Sequence, residues 1–167
     1  KLTVGLFCTW ALSPDGFHRF LSENLDLPQV LRFDIPPPPA ERFDAYTASG
    51  RTSFPLDRIR RFVMATCAYC LDMTAEFADV SVGSVEGIEG WNTVIVRTEA
   101  GAGVMERARA SGKLETAALP PENLAHLKEA SLLKKVRALQ QITERTGSKG
   151  DLLYLGLSAG VVDRLLG

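Results

Sequence analysis

Residues 67–98 read CAYCLDMTAEFADVSVGSVEGIEGWNTVIVRT, a Cys-x-x-Cys followed by a Gly-, Ser- and Thr-rich run that ends in a β-rich segment. Two thiols three positions apart, Cys67 and Cys70, converge on one atom only where the backbone curls between them. That suits a shared metal or iron–sulfur cluster better than a packing role. A further thiol, Cys8, closes the apolar run Leu2 to Phe7 far upstream.

The bare Cys-x-x-Cys leaves three readings open. A zinc site wants a second close pair of Cys or His, and the two histidines, His18 and His126, stand far apart without another ligand in tandem. A redox dithiol sits at the N-terminus of a helix that follows a strand, whereas this pair follows an apparent helix. An iron–sulfur cluster with scattered outer ligands fits best, and merely buried thiols remain the bland alternative.

Composition narrows the class without naming the chemistry. Of 167 residues, 46% are apolar and 23% charged, ordinary globular values. With 19 basic against 20 acidic side chains there is no general pull toward nucleic acid or anionic lipid. No window has the length of a membrane span and the N-terminus has no signal-peptide pattern, so a cytoplasmic protein is the default expectation. Lys1 stands where an initiator Met would, and three cysteines leave a four-thiolate cluster one ligand short. Both features suggest a piece of a larger protein.

Outward from residues 67–98, the pattern is of mixed α and β. Leu2 to Cys8 reads as a buried strand, and Ser13-Pro14 followed by Phe17, Phe20, Leu21 and Leu25 as a capped amphipathic helix. Val30 to Ile35 is a short strand stopped by Pro36 to Pro39, read as a rigid connector. Phe43 to Ala48, Ser49-Gly50 and Arg51 to Phe54 form a hairpin pattern. Leu56 to Met64 reads as a helix delivering the chain to Cys67. Strands are expected over Ala78 to Val85 and Thr93 to Thr98, with Gly87 and Gly90 between them. Gly101 and Gly103 then break the pattern before a helix from Val104 to Ala110. Glu122 to Arg145 is a long amphipathic helix ended by Gly147 to Gly150, with Leu124, Leu127, Leu132, Val136, Leu139 and Ile142 as its apolar positions. Asp151 to Leu166 reads as an apolar docking helix, too short to cross a bilayer.

Several residues around the thiols can carry chemistry. Asp72, Glu76 and Asp79 are either a solvated face and caps or part of a site. Gly83, Ser84, Gly87, Gly90, Trp91, Asn92 and Thr93 offer amides and hydroxyls of the kind a phosphate or a flavin carbonyl needs, although glycine-rich hairpins do so with no ligand at all. Arg97, beside Thr98 at a strand end, can fork onto a phosphate or carboxylate, or make an ordinary ion pair. Neither histidine has a visible carboxylate partner in sequence.

Taken in order, Val4-Gly5-Leu6-Phe7-Cys8, Cys67-Ala68-Tyr69-Cys70-Leu71-Asp72, the run Ala75 to Ser84 and Gly90-Trp91-Asn92-Thr93-Val94-Ile95-Val96-Arg97-Thr98 resemble the C-terminal domain of the coenzyme F420 hydrogenase/dehydrogenase beta-subunit family. The similarity runs from about Lys1 to Leu139. It implies an α+β fold in which a mixed sheet with flanking helices carries an iron–sulfur-binding loop and C-terminal helices. The domain is expected over residues 1–145, with a docking helix over 146–167. It also implies a flavoprotein holding FAD and one 4Fe-4S cluster. Family members exchange hydride between coenzyme F420 and the flavin and pass single electrons through the cluster to hydrogenase, formate dehydrogenase or other subunits, a division of labour that suits each group's chemistry. Relatives of this type include reductases of sulfite and of a chlorophyll intermediate, and a glutamate-synthase-like electron donor.

Carried over residue by residue, the resemblance makes Cys8, Cys67 and Cys70 cluster ligands. The family's fourth ligand lies in an N-terminal half, in a Pro-Cys context absent from this chain. It sets Gly83, Ser84, Gly90, Trp91, Asn92, Thr93, Arg97 and Thr98 near the flavin. The strand ending at Cys8 and the loop of Cys67 and Cys70 are therefore expected to meet. The rival reading is a non-catalytic module in which the thiols hold structural zinc and the long helix docks a partner.

Overall fold

A computed structural model describes residues 1–36, 40–153 and 155–167, so most of the expected proline connector, Pro37 to Pro39, lies outside the described residues. The chain forms two compact units, one of residues 10–67 and one of residues 1–9 with 68–167. The α+β class expected from the sequence holds, but the single mixed sheet is replaced by two small ones, each three-stranded.

The unit of residues 10–67 is built on aromatic side chains. Helix α1 (Pro14–Asn24) places Phe20 and Leu21 against an antiparallel meander of β2 (Val30–Asp34), β3 (Arg42–Thr47) and β4 (Gly50–Pro55). Phe20, Leu21, Phe43, Phe54, Leu56 and Ile59 form its core. The ring centroids of Phe20 and Phe54 lie 5.3 Å apart, edge to face, an arrangement favoured by the ring quadrupoles. Thr47 pairs with Gly50, so Ala48 and Ser49 make the hairpin loop, one residue earlier than expected, and Gly50 supplies the φ of 138°.

The helix expected over Leu56 to Met64 is only α2 (Asp57–Arg60). The reason lies in the backbone: Ser13 N–H donates to Phe62 O and Met64 N–H to Ala11 O, and Leu12 bridges Val63, which holds 62–64 extended. One carboxylate is sealed inside this unit. Burial alone would raise the Asp44 carboxyl, but hydrogen bonds from Ser53 (2.6 Å) and Arg42 (3.0 Å), with the charges of Arg42 and Arg51, hold it below the usual carboxylate range.

In the other unit β1 (Val4–Leu6) runs parallel to β5 (Val80–Ser84), which pairs antiparallel with β6 (Asn92–Val96). The first strand was expected to be buried; it is a three-residue edge strand whose Val4 and Leu6 are exposed. The parallel step from β1 to β5 requires a long crossover, and the whole of residues 10–67 occupies that interval of the chain.

Helix α3 (Glu99–Ala110) starts five residues before the expected Val104. Thr98 caps it, its hydroxyl accepting from Gly101 N–H at 3.2 Å. Gly101 is no helix breaker here, for a Cβ at that position would stand 2.6 Å from Asp79 O and 2.9 Å from Val80 Cγ2. It is the point where α3 lies directly on the start of β5.

Helix α4 (Pro121–Thr146) agrees with expectation at both ends, opening on proline and closing on Gly147 with φ 69°. Its buried face is the expected one in part, at Leu139 and Ile142. Leu124 and Leu132 are exposed, whereas Lys134, Ala138, Leu139 and Ile142 are buried. The final helix is shorter than expected: α5 (Ala159–Leu166) is helical, and the part of 151–158 described is not. Val162 of α5 and Leu152 join Leu139 and Ile142 in one apolar cluster, with Tyr69, Leu71, Leu155 and Leu157 against it, while Leu153 is half exposed.

The two glycines of α3 should respond oppositely to alanine. Gly101→Ala sets a methyl against main-chain atoms that cannot step aside, and overpacking of this kind costs about 1–3 kcal/mol, more than the helix propensity it gains. At Gly103 the nearest atom to a new Cβ is the end of the Arg107 side chain at 3.2 Å, so Gly103→Ala should stabilise by up to ~1 kcal/mol. Urea unfolding midpoints for both variants check the sign of each.

Candidate functional site

The segment after Cys70 is shaped by its own acidic residues. Both carboxylate oxygens of Asp72 accept the N–H of Glu76 at 3.1 Å, closing a tight turn in which Ala75 has φ 52°. An Asp reaching a main-chain amide a few residues on is a standard way to hold such a turn. Gly5 accommodates it, since a Cβ on Gly5 would come 2.2 Å from Ala75 Cβ. Asp72 is therefore a turn-former, and Glu76 ion-pairs with Lys135 of α4.

Cys8 is tied to this turn through its main chain. Its N–H donates to Met73 O at 2.8 Å, and its carbonyl accepts from Lys134 Nζ at 2.6 Å. The same Nζ donates to Asp72 O at 2.8 Å. The Cys70 thiol donates to that carbonyl at 3.6 Å. The end of β1 and the loop after Cys70 are thus held together by main-chain groups and Lys134. In the unit of residues 10–67, the Cys67 sulfur accepts from Ala11 N–H at 3.2 Å.

All three cysteines are free, Cys8 exposed and Cys67 and Cys70 half-buried. Among the described residues no group of three or more His, Cys, Asp or Glu is gathered as a metal site. Thiols are soft ligands of the kind that suit cluster iron or zinc rather than oxygen-seeking cations, and of the three only the Cys67 sulfur has a main-chain amide donating to it among the described residues. The histidines add nothing to this set. His126 pairs with Glu86 at 2.9 Å, which raises its pKa, and both lie on the surface; exposed His18 sits near Ser22.

The residues expected near a flavin divide into two groups. Gly83 and Ser84 pair with Thr93 and Asn92 in the β5–β6 ladder. Gly83 lies beneath the Phe7 ring, where a Cβ would fall 1.9 Å from Phe7 Cδ2, so the absence of a side chain there has a packing cause. By contrast, Gly87, Gly90, Trp91 and Asn92 are exposed, and both glycines have positive φ. Arg97 spreads its guanidinium over uncharged oxygens, Ser81 Oγ at 2.6 Å, Thr74 Oγ1 at 3.0 Å and Thr74 O at 3.1 Å. Ser81 and Thr74 are buried, so they orient the cation without neutralising it.

Thr98, besides capping α3, donates to Asp79 Oδ1 at 2.7 Å, and Thr3 N–H donates to Oδ2 at 2.7 Å. The hydroxyl of Thr98 first, and then the Thr3 amide, hold the Asp79 carboxyl below the usual carboxylate range. Sequence reasoning singled out Asp79 without a partner and passed over Lys134 and Lys135. The signal for the lysines was their place in the helical period of Ala138 and Ile142.

The protein-family model that matches, over residues 1–122, describes the C terminus of the beta subunit of coenzyme F420 hydrogenase/dehydrogenase. The coenzyme F420 hydrogenase subunit beta of Methanothermobacter thermautotrophicus is 34% identical over 149 residues, covering 87% of this chain and 52% of that protein. A coenzyme F420-dependent sulfite reductase of Methanocaldococcus jannaschii is 30% identical over 140 residues, 83% of this chain and 19% of that protein. Among solved structures, a xenon-derivatised F420-reducing NiFe hydrogenase complex from Methanosarcina barkeri matches with a TM-score of 0.77 and 29% identity, covering 89% of this chain and 52% of that one. The chain spans about half the length of the hydrogenase beta subunits it matches. No helix among the described residues is long and apolar enough to cross a membrane.

Because the folded-state pKa of Asp79 lies below its unfolded value, its contribution to stability is full above the unfolded carboxylate range and is lost as pH falls through the folded value. Asp79→Asn should therefore flatten the acid limb of stability below about pH 4. Thermal melts of the two proteins from neutral to acid pH check this, and an unchanged acid slope would count against the assignment.

Proposed function

The chain belongs to the coenzyme F420 hydrogenase/dehydrogenase beta-subunit family, and from that membership we propose that it is a domain of an F420-dependent oxidoreductase subunit. In this reading the complete protein exchanges hydride between coenzyme F420 and FAD and passes single electrons through a 4Fe-4S cluster to partner subunits of the hydrogenase or formate dehydrogenase kind. A flavin between a hydride carrier and a one-electron cluster is the physical requirement of that chemistry. Cys8, Cys67 and Cys70 are the cluster ligands. The observation that carries the proposal is the tie between Cys8 and the loop after Cys70, made by the Met73 carbonyl and Lys134.

On the flavin side, Gly90, Trp91, Asn92 and Thr93 approach the cofactor from the β5–β6 connection, with Gly83, Ser84 and Thr98 as its backing. Arg97 faces an anionic part of it. The uncharged partners of the Arg97 guanidinium support this role, since they leave its charge available.

Anaerobic reconstitution with iron, sulfide and an excess small thiol, which supplies a fourth sulfur ligand, tests the reading. About four iron and four sulfide per chain with visible charge-transfer absorbance is the expected result. One zinc per chain without visible absorbance would favour the structural zinc module instead. In the complete subunit, Arg97→Ala should lower FAD occupancy at least several-fold. Unchanged FAD content and F420 turnover would return Arg97 to a purely packing role.

A further inference from the structure

Lys134 is the one lysine among the buried polar and charged residues of the described chain, at 5% exposure. Lysine is almost never sealed from water unless its charge is matched. Among the described residues the hydrogen-bond partners of its Nζ are two main-chain carbonyls, Cys8 O and Asp72 O, and not a carboxylate. The two carbonyl dipoles take two of the three N–H donors and leave the net charge standing in a poorly solvated place. Such a site is stable where a negative group sits close by. The two carbonyls belong to Cys8 itself and to the turn that follows Cys70.

We propose that Lys134 is a positioning residue of the thiol site: by donating to the carbonyls of Cys8 and Asp72 it fixes the two thiol-bearing segments against α4, and its charge offsets the negative charge of the cluster. The inference rests on the reading of the cysteines as cluster ligands, and it goes beyond the family match, which ends at residue 122, in the first turn of α4. Neighbouring Lys135 strengthens the placement, for its Nζ reaches Leu71 O at 3.5 Å and pairs with Glu76. Both lysines therefore face residues 71–76 from one turn of the helix.

Two consequences differ from those of an ordinary structural lysine. Without any cofactor, the Cys8 amide should owe its protection to the Lys134 clamp. With the cluster bound, a nearby positive charge favours the reduced form, which carries one more negative charge, and so raises the midpoint potential.

The test uses Lys134→Met, close in shape and unable to donate, and Lys134→Arg, which keeps donors and charge. In the cofactor-free chain, amide exchange at Cys8 should accelerate at least tenfold in Lys134→Met and return toward the wild-type rate in Lys134→Arg. After reconstitution, Lys134→Met should hold less iron and sulfide, and what it holds should titrate at a more negative potential. If Lys134→Met does not unfold cooperatively, Lys134→Arg decides: restored Cys8 protection supports the clamp, and a folded arginine variant with an unprotected Cys8 overturns it. Wild-type protein that takes up no iron–sulfur cluster would remove the cluster reading and with it the charge-offset role, while Cys8 exchange still judges the clamp. Unchanged exchange, cluster content and potential in a folded Lys134→Met would overturn the inference and leave the cluster reading intact.

Discussion

A buried lysine answered by main-chain carbonyls is the constraint around which the thiol-bearing unit is arranged. Lys134 can reach Cys8 O and Asp72 O only if the end of β1, the turn after Cys70 and the middle of α4 come to one place. The turn is held by Asp72 and by the left-handed Ala75, and Gly5 leaves room for it. Farther along α4, Ala138, Leu139 and Ile142 continue the same inward face into the cluster shared with α5. Polar anchoring at the middle of the helix and apolar packing toward its C-terminal end define how it lies on its unit.

A second constraint sits at the other end of β1. Asp79 accepts from Thr3 and Thr98, and Gly101 touches the Asp79 carbonyl region, so the start of β1, the start of β5 and the first turn of α3 are pinned within one short stretch. Parallel pairing of β1 with β5 gains from such pinning, because the two strands lie far apart in sequence and loop closure alone does not favour their meeting. The register that results carries the main chain of Cys8 to the turn beyond Cys70, where its amide donates to Met73 O, and leaves its side chain exposed.

Much of this could be read from the residues themselves. Gly147 closes α4 because it takes the left-handed φ without strain, and Pro121 suits its first turn because the N–H it lacks would be unpaired there. The hairpin of β3 and β4 shows in its alternating residues and Gly50. Other features were hidden for physical reasons. Gly101 looks like a helix breaker until a backbone carbonyl is found where its side chain would be. Lys134 looks like a surface residue until the partners of its amino group are known. The helix expected from Leu56 to Met64 fails because residues 11–13 compete for its main-chain groups, a long-range pairing that no local pattern displays. Val4 and Leu6, read as buried by their hydrophobicity, lie exposed on an edge strand. In the candidate site, the cysteines and Arg97 were visible as residue types, but which carbonyls and hydroxyls orient them was not.

The central claim is that Cys8, Cys67 and Cys70 act together on one cluster. The most direct measurement is the electron paramagnetic resonance spectrum of dithionite-reduced, anaerobically reconstituted protein, recorded for wild type and for Cys8→Ser, Cys67→Ser and Cys70→Ser one at a time, with iron and sulfide counted on the same samples. The account predicts a reduced-cluster signal in the wild type and its loss or a changed line shape in every one of the three variants. A wild-type signal that survives unaltered in Cys8→Ser would contradict it, because the Cys8 thiol would then have no part in holding the cluster.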